Sequence, residues 1–423
     1  MLQPLLHYLN RHGVAAMIEE PPAQQLGIVV CIPAFKEPDP LLPLDSLFAA
    51  NPPSCSVEVL ILFNTPEQAN SEELTLTREG YQQTLCWAKE HRREGFSCHP
   101  ILVEAIPRKH AGAGMARKIV MDQAVIRFLK AGNSRGILAG FDSDTTCCPN
   151  YFCAIEEHFA RHPQTGGASV YFEHPLSGTE FSPQIYQGIV QYESHLRYLS
   201  QAMRYCGFPY FYHTVGSAFT VRADIYALQG GMNRRTAGED FYFLHKIMPL
   251  QHYAHIHRTT VYPSPRCSDR VPFGTGAQMR HWMEQAEKSL DTYAFESFRQ
   301  IKPFFEQIPL WYAPRLSAIP VTARESAENL LTGPFLEQEQ WFLKWQELQT
   351  HSSSPERFTK RFFNWFNGFM MVKYLNYCVR SGLVKQPVQE ACSKLAEAAG
   401  WENFPQTFPQ IVLRLREEDK KIG

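Results

Sequence analysis

The stretch Gly136-Ile-Leu-Ala-Gly-Phe-Asp-Ser-Asp144 decides how this chain is read: a short apolar run stops on two acids separated by one serine. In an open α/β sheet, ligands bind beyond the carboxyl ends of the strands, so a pair of acids there points into the expected cleft. The same alternation of strand and helix recurs upstream. Strands are expected at Ile28–Pro33, Val57–Phe63 and Ile101–Glu104, the second apolar on both faces as a central parallel strand should be. Helices are expected around Leu41–Ala50, from Asn70 or Ser71 towards Gly95, and over Gly114–Lys130; the middle one carries Leu74, Tyr81, Leu85 and Ala88 on one stripe. This alternation predicts an α/β chain with a mixed, mainly parallel sheet flanked by helices.

Downstream, the sequence predicts an aromatic-rich helix at Gln184–Tyr205, a strand at Thr214–Val221, a short helix after Gly238 and a histidine-containing strand ending at Tyr262. Beyond about Gly276 no clear strand remains. Amphipathic patterns at Met279–Gln300, Leu336–Leu348 and Arg357–Val379 predict an all-helical C-terminal region. The expected organisation is an extension over 1–26, an α/β domain over 27–276 and a helical domain over 277–423.

Lysine and arginine number 41 against 42 aspartates and glutamates, a net charge of −1. That balance lacks the basic excess that nucleic acid or an anionic membrane attracts. A hydrophobic share of 44% and a charged share of 20% are those of a folded globular chain. No apolar run approaches the roughly 18 to 20 residues of a membrane span, and the first residues show neither a basic leader nor a small-residue cleavage site. The eleven cysteines are odd in number and scattered, with Cys31 and Cys86 in apolar stretches, so reduced thiols in the cytoplasm are expected. Cys147, Cys148 and Cys153 cluster without a Cys-x-x-Cys pair and read as packed thiols, not as a zinc site.

Carboxylates two residues apart on extended backbone face the same way, and hard oxygens suit Mg2+ or Mn2+ that also holds a diphosphate. The alternative is that Asp142-Ser-Asp144 is a turn capping the helix that begins near Pro149. The pair Gly112-x-Gly114 lacks the third glycine of a dinucleotide fingerprint and follows the third strand, which rejects a Rossmann NAD site. A helix N-terminus near a phosphate, with Arg108, Lys109 and Arg117 as nearby cations, is its better use; a solvated basic loop is the alternative. Glu239 and Asp240 open a helix, where acids also serve to meet the helix dipole. His255 and His257 share one face of a strand.

Taken in order, the strand Ile28-Val-Val-Cys-Ile-Pro-Ala-Phe-Lys-Glu37, then Gly112-Ala-Gly-Met-Ala-Arg-Lys118, Asp142-Ser-Asp144, Gly230-Gly-Met232 and Gly238-Glu-Asp240 resemble the family 2 glycosyltransferases of the GT-A fold. The resemblance spans about residues 27 to 265. It implies an enzyme that moves a sugar from a nucleotide diphosphate donor to an acceptor hydroxyl, usually with inversion. A divalent ion, Mn2+ or Mg2+, would be held by Asp142 and Asp144. Pro33, Phe35 and Glu37 would line the nucleotide site, and Asp240 would be the general base beside Glu239. Asn64 stands where the family usually has an aspartate that reads the base, which leaves the base open. A downstream histidine completes the metal shell in several enzymes of this fold; His257 is the choice here and His255 the reserve. The acceptor stays open, and a sugar nucleotidyltransferase or a silent nucleotide-sugar-binding protein of the same fold are the competing readings.

The segment Ser264-Pro-Arg-Cys-Ser-Asp-Arg-Val-Pro-Phe-Gly-Thr-Gly276 is too rich in proline and glycine for a helix or a central strand. It is expected to form a lid whose Arg266 and Arg270 close over the leaving diphosphate, with an inter-domain linker as the alternative.

Overall fold

A computed structural model describes residues 2–250, 252–270, 274–285, 289–312 and 331–422. Three strands carry the amino-terminal half: β1 (Leu26–Ala34), β2 (Ser56–Pro66) and β3 (Phe96–Ile106). They are joined by α2 (Leu42–Ala49) and α3 (Ser71–Glu90), after an initial helix α1 (Gln3–His12). Then follow α4 (Ala113–Lys130), β4 (Ile137–Gly140), β5 (Thr146–Cys147), α5 (Tyr151–Arg161), β6 (Thr165–Phe172) and α6 (Pro183–Tyr205). After these come β7 (Phe219–Arg222), α7 (Ala223–Leu228), α8 (Glu239–Ile247), β8 (His252–Tyr262) and α9 (Thr275–Glu284).

These eight strands form one sheet in the order β3-β2-β1-β4-β7-β6-β8-β5. The pairs β1–β2, β2–β3, β1–β4 and β6–β8 are parallel, while β7 and β5 run against their neighbours. The sheet is thus mixed and mainly parallel, as expected, and a helical C-terminal region follows. Its centre is dry: Ile28, Val29, Val30, Cys31 and Ile32 are fully buried, as apolar residues on both faces of a parallel strand require.

Several elements depart from the sequence reading. β3 is far longer than Ile101–Glu104, because its pairing with β2 runs from Val57↔Phe96 to Pro66↔Ile106; as an edge strand it tolerates Ser97, His99 and Pro100. Asn70 does cap α3, its side chain accepting from Glu73 N while Glu73 answers at Asn70 N. The buried line of α3 is Thr77, Gly80, Thr84 and Trp87, with Leu74, Tyr81, Leu85 and Ala88 only half-buried beside it. Gly80 sets that rotation, since a Cβ there would stand 2.9 Å from Phe63. Thr214–Ser217 forms a turn and not the first half of a strand.

The chain divides into two units, one of Met1–Ile189, Thr214–Gln285 and Ile422–Gly423, the other of Val190–His213 and Ala286–Lys421. The second unit is built on aromatic packing among Phe298, Phe304, Phe305, Trp311, Trp345, Phe362 and Phe366. Each long helical pattern expected there is broken. Met279–Gln300 resolves into α9, a strand at Asp291–Thr292 paired with Gln386–Pro387, and a helix Phe295–Gln307. Gln340, at φ 53°, separates Thr332–Gln338 from Trp341–Thr350. Asn367 ends Pro355–Trp365 by capping Gly368–Arg380. No helix among the described residues is long and apolar enough to cross a membrane.

Candidate active site

β1 and β4 run parallel side by side, so the turns that leave them open on the same edge of the sheet. Just past β1 the backbone turns at Lys36, whose φ of 49° is uncommon for a residue with a side chain. That turn buries Glu37 beside the loop after β4, where Ser143 Oγ donates to Glu37 Oε2 at 2.6 Å.

Two arginines from the loop after β8 complete this corner. Arg266 donates from Nη1 and Nη2 to both oxygens of Glu37, at 2.9 and 2.5 Å, and from Nε to Asp144 Oδ2 at 2.7 Å. Arg270 donates to Glu37 Oε2 at 2.9 Å, to Asp144 Oδ2 at 3.1 Å and to the Phe35 carbonyl at 3.3 Å. Burial raises the Asp144 pKa even with both guanidinium groups in place. Val271–Phe273 of the same segment lie outside the described residues.

A second ion-pair centre lies one strand-turn away. Arg117, buried on the first turns of α4, donates to Asp142 Oδ1 at 2.8 Å, to Glu239 Oε1 at 3.2 Å and to the Gly216 carbonyl at 3.0 Å. The expected phosphate cradle at the start of α4 is not what the backbone forms. Ala113 N and Gly114 N donate to the carbonyls of Thr236 and Arg235, at 3.3 and 3.1 Å. The two glycines permit this close approach: a Cβ at Gly112 would lie 2.5 Å from Thr236 Cα. Arg108 and Lys109 stay exposed on the 3-10 turn Arg108–His110.

The loop held by α4 delivers the base candidate. Asn233 Nδ2 donates to the Glu239 carbonyl at 2.8 Å, fixing the entry into α8. Asp240 takes the Phe241 N–H at 2.7 Å. It is half-buried by exposed area yet closely ringed by protein, and burial first, then the neighbouring Glu239 charge, pushes its carboxyl up to about 7 against the pull of Arg117. At that value it can hold or release a proton near neutrality.

Asn64 is buried near the carboxyl end of β2, and its Oδ1 has no hydrogen-bond partner. Pro33 and Phe35 are half-buried at the end of β1 and just after it. His257 faces outward from β8 beside His158 of α5. Among the described residues no group of three or more His, Cys, Asp or Glu side chains is placed to hold a metal, so neither His257 nor His255 joins the aspartates.

A divalent ion shared with a diphosphate needs only one or two protein carboxylates, because phosphate and water complete the shell. Asp142 and Asp144 meet that need. Each has one oxygen on arginine, and Asp142 Oδ2 and Asp144 Oδ1 have no partner among the described residues. The carboxylates of Glu37, Asp142, Asp144, Glu239 and Asp240, when ionised, outnumber the guanidinium groups of Arg117, Arg266 and Arg270 by two. That excess suits a doubly charged ion.

Sequence reading did not single out Gly216, Ser143 or Asn233. Only Gly216 carried a usable signal, a glycine inside an apparent strand pattern, which marks close backbone approach.

No family model and no curated protein matches the sequence. Among solved structures, S. aureus TarS 1–349 in complex with UDP-GlcNAc is similar at 10% identity with a TM-score of 0.38, covering 92% of this chain and 89% of that one. Mannosyltransferase PcManGT from Pyrobaculum calidifontis, in complex with GDP-Man and Mn2+, is similar at 13% identity and a TM-score of 0.36, covering 86% and 94%. GalNAc-T7 with UDP, GalNAc and Mn2+ gives 13% identity and a TM-score of 0.35, covering 85% of this chain and 58% of that one. All three match over most of this chain at 13% identity or less.

Proposed function

We propose that this chain is an inverting, metal-dependent glycosyltransferase that moves a sugar from a nucleotide diphosphate donor to an acceptor hydroxyl, with residues 27–276 as the transferase domain and 277–423 as a helical domain. One observation carries this reading. Glu239, the neighbour in sequence of the near-neutral carboxyl of Asp240, is tied through the single guanidinium of Arg117 to Asp142 in the turn after β4. Base and donor machinery are thereby held in one frame.

Asp142 and Asp144 would hold Mn2+ or Mg2+, which when bound supplies positive charge to the donor diphosphate. Asp240 accepts the acceptor O–H proton as that oxygen forms its bond to the anomeric carbon. The bond from that carbon to the diphosphate oxygen breaks on the opposite face, so the configuration inverts. Arg117 keeps Asp142 and Glu239 in place and lowers the cost of ionised Asp240 nearby. Asn64, with its unpartnered buried oxygen, supports a role in reading the nucleotide.

The test is incubation of the full chain with UDP- and GDP-sugars and Mn2+, reading nucleoside diphosphate release and, by NMR, the anomeric configuration of the product. Release in the wild type and its loss in Asp240→Asn are expected. Equal release by both would overturn the assignment of the base, and no release from any donor would overturn the function.

A further inference from the structure

Asp144 Oδ2 is occupied by two cationic side chains, although its own carboxylate is one of the two that fit a divalent ion. Arg266 spends three of its five N–H donors on Glu37 and Asp144, and Arg270 spends four on Glu37, Asp144, Ser268 and the Phe35 carbonyl. Glu37 and Asp144 differ as anchors. The Glu37 side chain is 2% exposed and also takes the Ser143 hydroxyl, whereas Asp144 is 19% exposed and has an open oxygen. Both arginines ride on residues 263–270, just after β8, which form no helix or strand.

We propose that Arg266 and Arg270 are placeholders for the cation on Asp144. Resting on the above reading of the site, the two side chains pivot on buried Glu37. They give up Asp144 when a divalent ion arrives with a nucleoside diphosphate, and they turn the freed N–H groups onto the diphosphate oxygens. Two guanidinium charges in contact with Asp144 repel a bare ion, and a diphosphate draws them off by offering a stronger anion. The ion alone therefore binds poorly, and the site gains its cation together with the ligand that neutralises it. The arginines oppose one ligand and favour the other.

That opposition in sign is the test. Mn2+ binding to the full chain is followed by the EPR signal of free Mn2+, with no nucleotide present, and UDP and GDP binding by calorimetry at saturating Mn2+. In the double variant Arg266→Gln/Arg270→Gln, Mn2+ alone is expected to bind roughly tenfold more tightly, and the better-binding diphosphate roughly tenfold more weakly, as loss of close charge pairs implies. If that variant fails to fold by circular dichroism, Arg270→Gln alone, which leaves Arg266 on Glu37, reads the same two affinities. Arg266→Lys/Arg270→Lys, which keeps the charge, is expected to leave Mn2+ affinity near the wild-type value. Unchanged or weaker Mn2+ binding in the folded Gln variant would overturn the placeholder role while leaving the transferase reading standing. If neither diphosphate binds wild-type protein under any condition, both fall.

Discussion

Gly216 lies so close to Arg117 that a Cβ at this position would stand 2.6 Å from Nη2 and 3.4 Å from Asp240 Oδ2. The Gly216 carbonyl is at the same time an acceptor for Arg117 Nη1. A methyl group here must push the guanidinium off its carboxylates. Gly216→Ala is expected to cut sugar transfer by roughly a hundredfold, about 2.7 kcal/mol of barrier, and to lower the melting temperature as well, because it displaces a buried, paired guanidinium. Steady-state kinetics beside a thermal melt decide it, and wild-type turnover would show that Arg117 need not sit where it does.

The elevated Asp240 carboxyl sets a pH dependence. Only the ionised form accepts a proton, so kcat/KM should rise through about pH 7 and level off above it. Asp240→Asn should remove that rising limb together with a factor of roughly a hundred to ten thousand in rate. The sign for stability is opposite: a pKa raised on folding favours the fold at low pH, and that contribution fades as pH climbs from about 4 towards 7. A rate profile flat between pH 5.5 and 8 would remove Asp240 from the role of base.

Asp142→Asn and Asp144→Asn keep shape and lose charge. Each is expected to abolish stimulation by Mn2+ and to lower transfer by about a hundredfold or more at saturating donor. Titration of activity against Mn2+, with EDTA as the zero point, reads this directly. Full activity of either variant in EDTA would speak against an ion at this turn.

In the second unit, Asp419 is fully buried among Arg197, His213 and Gln201. Burial alone would raise its pKa, but His213, Arg197 and the hydrogen bonds from His213 and Gln201 override that and hold it well below its usual 3.8. Its stabilising contribution is therefore present above about pH 4 and lost as pH falls below that value. Asp419→Ala leaves Arg197 short of a counter-charge and is expected to cost about 3 to 5 kcal/mol in denaturant unfolding. A loss under about 1 kcal/mol would mean that Glu193, which Arg197 also meets at 2.8 Å, suffices.

The sheet is legible in the sequence because its central strands are apolar on both faces, and a short, nearly unbroken apolar run such as Val57–Phe63 suits a strand covered on both sides. The edge strand β3 is only half legible, since Ser97, His99 and Pro100 carry no periodic signal and enter the strand through their pairing with β2. At the site, acids and arginines can be named from motifs, but their partners cannot. Nothing local in the sequence brings Arg266 to Glu37 across 229 positions, or turns Arg117 inward to Glu239. The glycines of Gly112-x-Gly114 point to a phosphate by type, whereas they accommodate a loop roughly 120 residues away. Side-chain chemistry is local, and the geometry that uses it is a product of the whole sheet.

The helix α1 bears on the candidate site from behind. Tyr8 donates to Asp122 at 2.6 Å, Lys118 donates to both Tyr8 and Asp122, and Tyr226 donates to the same aspartate at 2.7 Å, all buried. Tyr8 also fills the space in front of Gly231, in the loop that continues to Asn233 and Asp240. Lys118 is the next residue after Arg117, so one turn of α4 has its front on Asp142 and Glu239 and its back against α1. A fragment cut to begin at Gly27 would lose that backing and leave Lys118 and Asp122 as a wetted pair on an open wall. The first dozen residues therefore work as a rear buttress, and a truncation that removes them reaches the candidate site by two routes, the shared turn of α4 and the Gly231 loop.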